Sequence, residues 1–407
     1  MNIADKSAFR DCTSCSMCAA VCPVDAISIH LDEDGFYRPS ISEKCIDCGL
    51  CTKVCYKFDE KIRMTDDDGL SRYDLYGASA KDNELLRTTT SGGVADVLAK
   101  YLISQGYACI GVIYDAEKNI AKSSVAHEVG ETDAFKGSKY IQSYTAEAFK
   151  QLVEDFKKNH DTKYAVFGLP CHIYAINRYL TLKGARDRCI LIDLFCHGCP
   201  SLNVWDKYVK SILNKTDGER VNEAIFRSKI KGWGSGFYVV VVVVVDGVPT
   251  PVVGRATNDP FFELFFSNMV LNGSCADCWL RSTLEYTDIR LGDFWGKTYL
   301  NNTTGVSAVS IATAKGKEIW DRIKENFQYE QRAFSEFLPY QSWNKTYKVD
   351  GDLRRETLDV LNKKDSTIKD AIRVLRSHET SKQRVTRLTK QLLFRFPNVV
   401  RFLKRYI

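Results

Sequence analysis

The sequence CTSCSMCAAVCP spans residues 12–23, and CIDCGLCTKVC spans residues 45–55. Both runs have the spacing C-x2-C-x2-C-x3-C, which is typical of bacterial proteins that hold two iron–sulfur clusters. In that arrangement three cysteines of one run bind one cluster, and the fourth cysteine of that run binds the other. The predicted ligand sets of two [4Fe-4S] clusters are Cys12, Cys15, Cys18 and Cys55, and then Cys45, Cys48, Cys51 and Cys22.

Two other uses of cysteine compete with this interpretation. Zinc sites use paired C-x2-C units separated by a longer stretch, which this spacing fits poorly. A disulfide framework belongs to short secreted chains, whereas Met1–Phe9 lacks the apolar segment of a secretory signal. We therefore expect thiolate chemistry in the reducing cytoplasm. One departure from the motif is that Tyr56 follows Cys55, where Pro23 follows Cys22.

Composition limits the class of protein. The chain has 407 residues, of which 44% are hydrophobic, enough for two or three globular domains. It contains no apolar run long enough to span a membrane. Eight of its 57 Lys and Arg residues, and none of its 51 Asp and Glu residues, lie between residues 380 and 407. The rest of the chain carries a net charge of −2, which argues against a nucleic-acid-binding body.

Hydrophobic periodicity predicts an α/β fold (α+β overall), in which a dicluster ferredoxin-like domain precedes a mixed α/β domain. We place the first domain at residues 1–58, a linker at 59–70, the second domain at 71–330 and a helical basic extension at 331–407. The predicted strands are Leu75–Ala80, Tyr107–Tyr114, Tyr164–Phe167, Cys189–Phe195, Phe237–Val245 and Ser307–Thr313. Helices are expected from Val94, over Pro170–Leu182, from Ser201, over Phe261–Leu271 and over Lys317–Glu325.

Two further cysteines occupy matching places in this pattern. Cys171 follows the strand Tyr164–Phe167, and Cys196 follows the next strand. Consecutive strands joined by a helix run parallel, so both thiols should lie at the carboxyl edge of the sheet, where α/β proteins bind ligands. With the pair Cys275 and Cys278 they suggest a third [4Fe-4S] cluster. Cys199 is a rival fourth ligand, and buried core thiols are the alternative; Cys109 and Cys189 are expected in the core.

Two polar loops are candidate cofactor sites. Thr90, Ser91, Gly92 and Gly93 precede a predicted helix, whose N-terminus would attract a flavin pyrophosphate. Ser138, Lys139 and Tyr140 form a second segment suited to a phosphate or to the isoalloxazine ring. An ordinary capping turn and a solvated loop are the respective alternatives.

Three side chains are candidates for chemistry at the site. His172 and His197 each follow a candidate ligand cysteine, and Asp293 begins the turn Asp293-Phe294-Trp295-Gly296. His197 and Asp293 are the predicted catalytic residues, as proton donor and site acid. Capping or core roles are equally open for all three.

Taken together, the motifs resemble a known family. Thr90–Gly93, Gly137–Ser143, Phe167–His172, Asp193–Gly198 and the block Cys275…Gly296 occur in an order similar to that of the coenzyme F-420 hydrogenase/dehydrogenase beta-subunit family. The resemblance covers residues 70–330, behind a fused dicluster ferredoxin domain. It implies bound FAD and an iron–sulfur cluster in the core domain, with F-420 as a further cofactor of the family. Bacterial members with this fusion are similar to proteins of polysaccharide-biosynthesis loci.

The expected function is that of an iron–sulfur flavoprotein oxidoreductase. Electrons from a donor such as ferredoxin would pass from the N-terminal clusters to FAD and an unidentified small-molecule substrate. The alternatives are an electron-transfer subunit without its own substrate and a scaffold that has lost the flavin. The basic C-terminal tail, with apolar residues from Val385 to Leu403, suits peripheral contact with an anionic membrane, or a solvated or partner-bound role.

Overall fold

The structure, a computed structural model, describes residues 1–235 and 238–393. In that part of the chain fourteen strands occur, which in chain order are β1 Ile27–Leu31, β2 Tyr37–Ile41, β3 Asp74–Ala80, β4 Ala108–Asp115, β5 Ile120–Ala126, β6 Ser143–Tyr144, β7 Tyr164–Phe167, β8 Cys189–Leu194, β9 Arg220–Ile225, β10 Tyr238–Val245, β11 Val248–Arg255, β12 Ile289–Asp293, β13 Ser307–Ile311 and β14 Phe327–Gln331.

The same residues form fourteen α-helices, several of them a single turn. These are α1 Met17–Ala20, α2 Leu50–Lys53, α3 Asp67–Leu70, α4 Asn83–Thr88, α5 Val94–Ser104, α6 Ala146–Lys158, α7 Pro170–Leu182, α8 Leu202–Thr216, α9 Pro260–Ser267, α10 Ala314–Ile323, α11 Phe334–Phe337, α12 Gly351–Asn362, α13 Ile368–Ser377 and α14 Ser381–Leu393.

A mixed sheet organises the fold. Among the described residues it has nine strands in the order β14-β3-β13-β12-β8-β7-β4-β5-β6. The four strands β4, β7, β8 and β12 run parallel to one another. Helix α7 connects β7 to β8, which confirms the predicted parallel βαβ unit and the mixed α/β fold. The carboxyl ends of β7, β8 and β12 therefore point to one edge of the sheet.

Helices cover both faces of this sheet. Ile190 and Ile192 of β8 pack on the face covered by α5 and α10. Leu191, between them, packs on the opposite face with α6 and α7. The strand is buried on both sides, as expected for a central parallel strand that reads as a continuous apolar run. The polar and thiol groups that follow the strand thus lie on a rigid support.

The dicluster domain is packed onto this body. Met17, Val21, Val54 and Tyr56 belong to the same buried cluster as the apolar faces of α6 and α7. The tip of the β1–β2 hairpin fits against α8, where the Ser201 hydroxyl donates to the Asp34 carbonyl oxygen at 2.6 Å. Contacts of this kind fix the position of the small domain relative to the sheet.

Segment 59–70, predicted as a linker, is also packed. Ile62 is fully buried among the residues of the core. The Thr65 amide donates to the Ser282 carbonyl oxygen at 2.8 Å, and Leu70 packs beside Leu284 and Trp343. The segment is polar because much of it lies on the surface, but its apolar residues pack into the core.

Several predicted boundaries were wrong for local reasons. The helix predicted at Phe261–Leu271 ends at Ser267, because Asn268 adopts a left-handed conformation with φ 67°. The helix predicted from Lys317 begins at Ala314, where the Thr313 side chain accepts from the Gly316 amide. Strand β14, unpredicted, adds an edge to the main sheet.

The valine-rich strand belongs to a separate sheet. Its predicted first residue, Phe237, lies outside the described residues, and Tyr238–Val245 pairs antiparallel with β9 and β11. Val239, Val241 and Val243 are fully buried against α8 and α9. The strand is buried as predicted, but it does not extend the parallel sheet.

Asp259 should make folding stability depend on pH. Its carboxylate caps α9 and accepts from the Tyr208 hydroxyl at 2.6 Å, yet burial dominates and raises its pKa from 3.8 to about 6. Between these values the folded protein keeps a proton that the unfolded chain has released. The free energy of unfolding therefore falls as pH rises, by up to about 1.4 kcal/mol per pH unit.

Asp259→Asn should remove this dependence and make the protein more stable than the wild type above pH 6. Urea unfolding under anaerobic conditions between pH 5 and 7.5 measures it. Asp350→Asn is the matched control, since Asp350 caps α12 from an exposed position. An unchanged slope in Asp259→Asn would contradict the assignment.

Candidate iron–sulfur and flavin sites

The first cysteine run is shaped by left-handed backbone. Ser14 and Ser16 have φ values of 64° and 60°, and they flank Cys15. In the second run Asp47 and Gly49 flank Cys48 in the same way, with φ values of 49° and 71°. These turns bend each run into an arc, so that its cysteines face one centre.

Two pockets collect the eight N-terminal cysteines. One is lined by Cys12, Cys15, Cys18 and Cys55, together with apolar side chains such as Met17 and Val54. The other is lined by Cys22, Cys45, Cys48 and Cys51. The structure thus brings together the two sets of four cysteines that the sequence predicts, with one cysteine of each run crossing to the other set.

The chemistry of these pockets suits iron–sulfur clusters. Burial raises the pKa of the Cys15 thiol to about 11, and neighbouring thiols add to the rise at Cys18. A bound metal removes this cost, because its charge stabilises the thiolates that ligate it. No group of three or more His, Cys, Asp or Glu in residues 1–235 and 238–393 converges tightly enough for a single metal ion. Four thiols spaced around a cavity suit a larger group.

The two pockets differ in depth. Cys48 of the second pocket is exposed, whereas no cysteine of the first pocket is, and the Thr145 hydroxyl of the main body donates to the Cys15 carbonyl oxygen at 2.9 Å. The Ala26 amide donates to Cys22 Sγ at 3.2 Å, and the Ser14 amide to Cys12 Sγ at 3.4 Å. Such N–H donors to sulfur are one of the ways in which a protein sets a cluster potential.

The core cysteines gather at the carboxyl edge of the sheet. Cys171 lies in the first turn of α7, and Cys196 follows the end of β8. The thiols whose charges bear on Cys171 are those of Cys199, Cys15, Cys278 and Cys196. Burial is the main reason that the pKa of Cys196 rises to about 12 and that of Cys275 to about 11.

Five thiols, rather than four, meet at this edge. Cys199 lies among them, and its amide donates to Cys275 Sγ at 3.5 Å. The choice of fourth ligand between Cys171 and Cys199 stays open. Cys109 and Cys189, in contrast, are fully buried in the apolar core, as expected.

The first N-terminal pocket and the core cysteines are neighbours. Cys15 and Cys171 pack against the same buried apolar cluster, and the charge of Cys15 is among those that raise the pKa of Cys171. Tyr56, directly after Cys55, accepts at its hydroxyl from the amide of Trp279, directly after Cys278, at 3.1 Å. The Arg10 guanidinium lies 4.9 Å from the Tyr56 ring centre and 4.8 Å from that of Trp279. This bridge between Tyr56 and Trp279 was not predicted. The one feature of the sequence that pointed to it was Tyr56, which stands where the first run has a proline.

The two predicted flavin segments touch each other. The Ser138 amide donates to the Thr90 hydroxyl at 3.0 Å, and the Ser91 hydroxyl donates to the Val306 carbonyl oxygen at 2.9 Å. Gly92 packs so tightly that a Cβ atom would lie 2.0 Å from the Ala78 carbonyl oxygen. Gly93, with φ 81°, begins α5. Gly92 therefore serves close backbone packing.

Lys139 and Tyr140 lie beside this loop in different surroundings. The Lys139 ammonium donates to the carbonyl oxygens of Ala134, Phe135 and Lys136, and burial lowers its pKa to about 8. The Tyr140 ring packs on three phenylalanines, Phe226, Phe262 and Phe265. Burial is the main reason that its pKa rises; the charge of Arg227 opposes the rise, and those of Asp293 and Cys196 add to it. The second flavin segment thus ends in an aromatic cluster.

The predicted catalytic residues are both held by neighbours. His197 Nε2 is 2.8 Å from Asn268 Oδ1, and its Nδ1 is 3.0 Å from the Tyr347 hydroxyl, while burial lowers its pKa to about 4. Asp293 ends β12, accepts from Trp233 Nε1 at 2.8 Å and lies 3.5 Å from an Arg227 nitrogen. His172 is buried, and its Nδ1 accepts from the Leu169 amide at 3.4 Å.

Comparisons with known proteins agree with this arrangement. Residues 161–336 match the family model for the C terminus of the coenzyme F420 hydrogenase/dehydrogenase beta subunit, and residues 11–59 match a 4Fe-4S dicluster domain. The resemblance predicted from the motifs is therefore confirmed, and the dicluster domain in front of it is an iron–sulfur domain.

Individual relatives are distant. The chain is 24% identical over 198 residues to one of the subunits of F(420)H(2) dehydrogenase from Methanosarcina mazei, covering 46% of this chain and 53% of that protein. It is 26% identical over 216 residues to an uncharacterized protein of Methanocaldococcus jannaschii, covering 46% of this chain and 59% of the relative. The chain thus spans little more than half the length of the curated relatives it matches.

A solved structure is also similar. It is a chain of the F420-reducing [NiFe] hydrogenase complex from Methanosarcina barkeri, at 18% identity and a TM-score of 0.46, with 78% of this chain and 94% of that chain covered.

The family match, which we call the beta-subunit region, covers only part of the candidate site. It contains β7, all five core cysteines and Asp293, because the match runs from residue 161 to residue 336. It does not contain Thr90–Gly93 or Ser138–Tyr140. The family assignment therefore bears on the thiol edge of the sheet, while the flavin segments stay predictions.

Tyr56→Phe should test the bridge between the dicluster domain and the beta-subunit region. The change keeps the ring but leaves the half-buried Trp279 amide without its acceptor, and the net contribution of such a hydrogen bond is about 0.5–1.5 kcal/mol. We expect a lower free energy of unfolding in anaerobic urea titrations and an unchanged iron content. Tyr340→Phe, at an exposed position, is the control and should change neither. Wild-type stability of Tyr56→Phe would show that the bond does not hold the domains together.

Proposed function

We propose that this chain is an iron–sulfur flavoprotein oxidoreductase that carries electrons from the protein surface to a buried site. The observation that carries the proposal is the order of the thiol sites. The exposed Cys48 marks the outer pocket, the inner pocket contains Cys15, and Cys15 neighbours Cys171 at the edge of the sheet. The family of the core region, which comprises hydrogenase and dehydrogenase subunits, supports a redox role.

We assign candidate residues to each group. The eight N-terminal cysteines would hold two [4Fe-4S] clusters, and Cys196, Cys275 and Cys278, with Cys171 or Cys199, a third. Thr90–Gly93 and Ser138–Tyr140 would hold FAD. When bound, such groups supply one-electron exchange at the clusters and two-electron hydride chemistry at the flavin.

The chain itself contributes positioning and exclusion of water. Asp293 is held by Trp233 and Arg227 at the carboxyl end of β12, the edge of the sheet at which α/β proteins bind ligands. His197 has both ring nitrogens engaged, which favours a positioning role over proton transfer. Of the two predicted catalytic residues, the contacts therefore favour Asp293.

A second candidate is an electron-transfer subunit without its own substrate. The observation that favours it is that the relative from Methanosarcina mazei is one subunit of a dehydrogenase. In that case a partner enzyme would receive the electrons, and a protein such as ferredoxin would supply them. F-420 and a substrate of polysaccharide biosynthesis remain proposals suggested by the family resemblance.

Iron and flavin analysis of anaerobically purified protein tests the main proposal. We expect about twelve irons per chain, since each cluster contains four, and one FAD. Cys278→Ala should reduce the iron content to about eight. Cys189→Ala is the matched control, because Cys189 is buried in the core away from the thiol edge.

The outcomes separate the alternatives. A wild-type protein with eight irons would remove the third cluster, and one without flavin would favour the relay subunit. Loss of four irons in Cys171→Ala but not in Cys199→Ala would identify Cys171 as the fourth ligand. The reverse result would identify Cys199.

We also propose that the C-terminal helix contacts an anionic membrane surface. No helix in the described ranges is long and apolar enough to cross a membrane. In α14 no residue is buried, and Val385, Leu388 and Leu392 are 63%, 50% and 57% exposed at helical spacing. The apolar residues of the predicted tail beyond Leu393, and Pro397, lie outside the described residues. The basic composition of 380–407 would complement anionic headgroups.

Sedimentation with phosphatidylglycerol and phosphatidylcholine vesicles tests this proposal. The full chain should bind the anionic vesicles and release them at high salt. Replacing Val385, Leu388 and Leu392 by serine should weaken binding severalfold, whereas Val248→Ser, an exposed valine elsewhere, should not. Equal binding by the triple variant would contradict the proposal.

A further inference from the structure

A buried arginine lies among the core cysteines. The Arg281 side chain is 3% exposed, and it follows Cys278 by three residues. Its Nη2 donates to the Cys275 carbonyl oxygen and its Nη1 to the Lys345 carbonyl oxygen, the latter at 3.0 Å. The guanidinium also lies 4.3 Å from the centre of the Tyr347 ring. The side chain therefore connects the loop that carries Cys275 and Cys278 to the segment before α12.

No carboxylate of the described residues forms an ion pair with Arg281. The neighbouring Arg290 differs in this respect, since it makes a bidentate pair with Asp193, with one N–O distance of 2.7 Å. A buried cation without an anion is costly, by several kcal/mol for an isolated charge. The paired Arg290 adds no compensating negative charge to the neighbourhood.

Lys207 provides an instructive comparison. It is a buried cation too, and its ammonium donates to three carbonyl oxygens, of Lys363, Lys364 and Ser366. Those three bonds use all three of its N–H groups, and no thiol lies among its contacts. Arg281 has five N–H groups, two of which donate to the carbonyl oxygens named above.

Arg281 is held against the loop that carries two of the core cysteines. Its Nη2 donates to the Cys275 carbonyl oxygen, and its main-chain amide donates to the Cys278 carbonyl oxygen at 3.4 Å. Both cysteines, together with Cys196, belong to either version of the candidate core cluster. The buried guanidinium therefore lies beside residues that would ligate iron.

We propose that Arg281 is the counter-charge and the positioning residue of a core iron–sulfur cluster held by Cys196, Cys275 and Cys278 with one further cysteine. The inference rests on the proposed third cluster. Four thiolates around a [4Fe-4S] core carry net negative charge in both redox states. Reduction by a one-electron donor adds one electron, with no bond made or broken, so it increases that negative charge. A fixed buried cation favours the reduced form and raises the potential.

Redox titration of the full chain, followed by electron paramagnetic resonance, tests the role of Arg281. Dithionite is the reductant, and the core signal is identified as the one missing from Cys278→Ala. In Arg281→Gln the ratio of reduced to oxidised core cluster at a fixed potential should fall at least tenfold, equivalent to about 59 mV for one electron. Arg281→Lys, which keeps the charge, should restore most of the ratio. The two N-terminal signals should not move.

Lys207→Met is the matched control. It should lower the free energy of unfolding without moving any cluster potential. Loss of four irons in Arg281→Gln, with retention in Arg281→Lys and Lys207→Met, would also support the inference, because the cluster would then need the charge to assemble. Twelve irons and an unmoved core potential in Arg281→Gln would overturn it. Eight irons in the wild-type protein would instead overturn the third cluster itself.

Discussion

The parallel pairing of β7, β8 and β12 is the constraint on which the rest of the structure depends. Parallel strands end at the same edge of a sheet, so the residues that follow them meet although they are far apart in sequence. Cys171, Cys196 and Asp293 are brought together in this way. Because β8 is buried on both faces, the edge cannot shift without disturbing two layers of helices. The thiol site is thus as rigid as the sheet.

The dicluster domain depends on the same body. Its own apolar residues are few, and several of them, such as Met17 and Val54, are buried in one cluster with the apolar faces of α6 and α7. Metal binding contributes folding free energy in small domains of this kind. Here the packing contributes as well, and it sets the separation between the inner pocket and the core cysteines. The packed segment 59–70 helps to hold this separation fixed.

Much of this could be predicted from the sequence, because the deciding signals are local. The spacing of the cysteines indicates which of them share a cluster. The strand Tyr164–Phe167 and the helix Pro170–Leu182 were predicted with the bounds that the structure has. Contacts between distant segments carried no such signal. Arg281, the Asp193–Arg290 pair and the Tyr56–Trp279 bond each depend on partners that only packing brings together. His197 is a mixed case, since its position beside Cys196 was visible but its two hydrogen-bond partners were not.

The sequence by itself determined the two cysteine runs, the α/β alternation and the resemblance to the beta-subunit family, because each depends on residues close to one another along the chain. Only the tertiary structure decided that five thiols meet at the sheet edge, that the first pocket adjoins them, and that a buried guanidinium binds the loop that carries Cys275 and Cys278. The physical reason is that burial and charge pairing arise between segments, and their cost or benefit does not exist until the chain has folded.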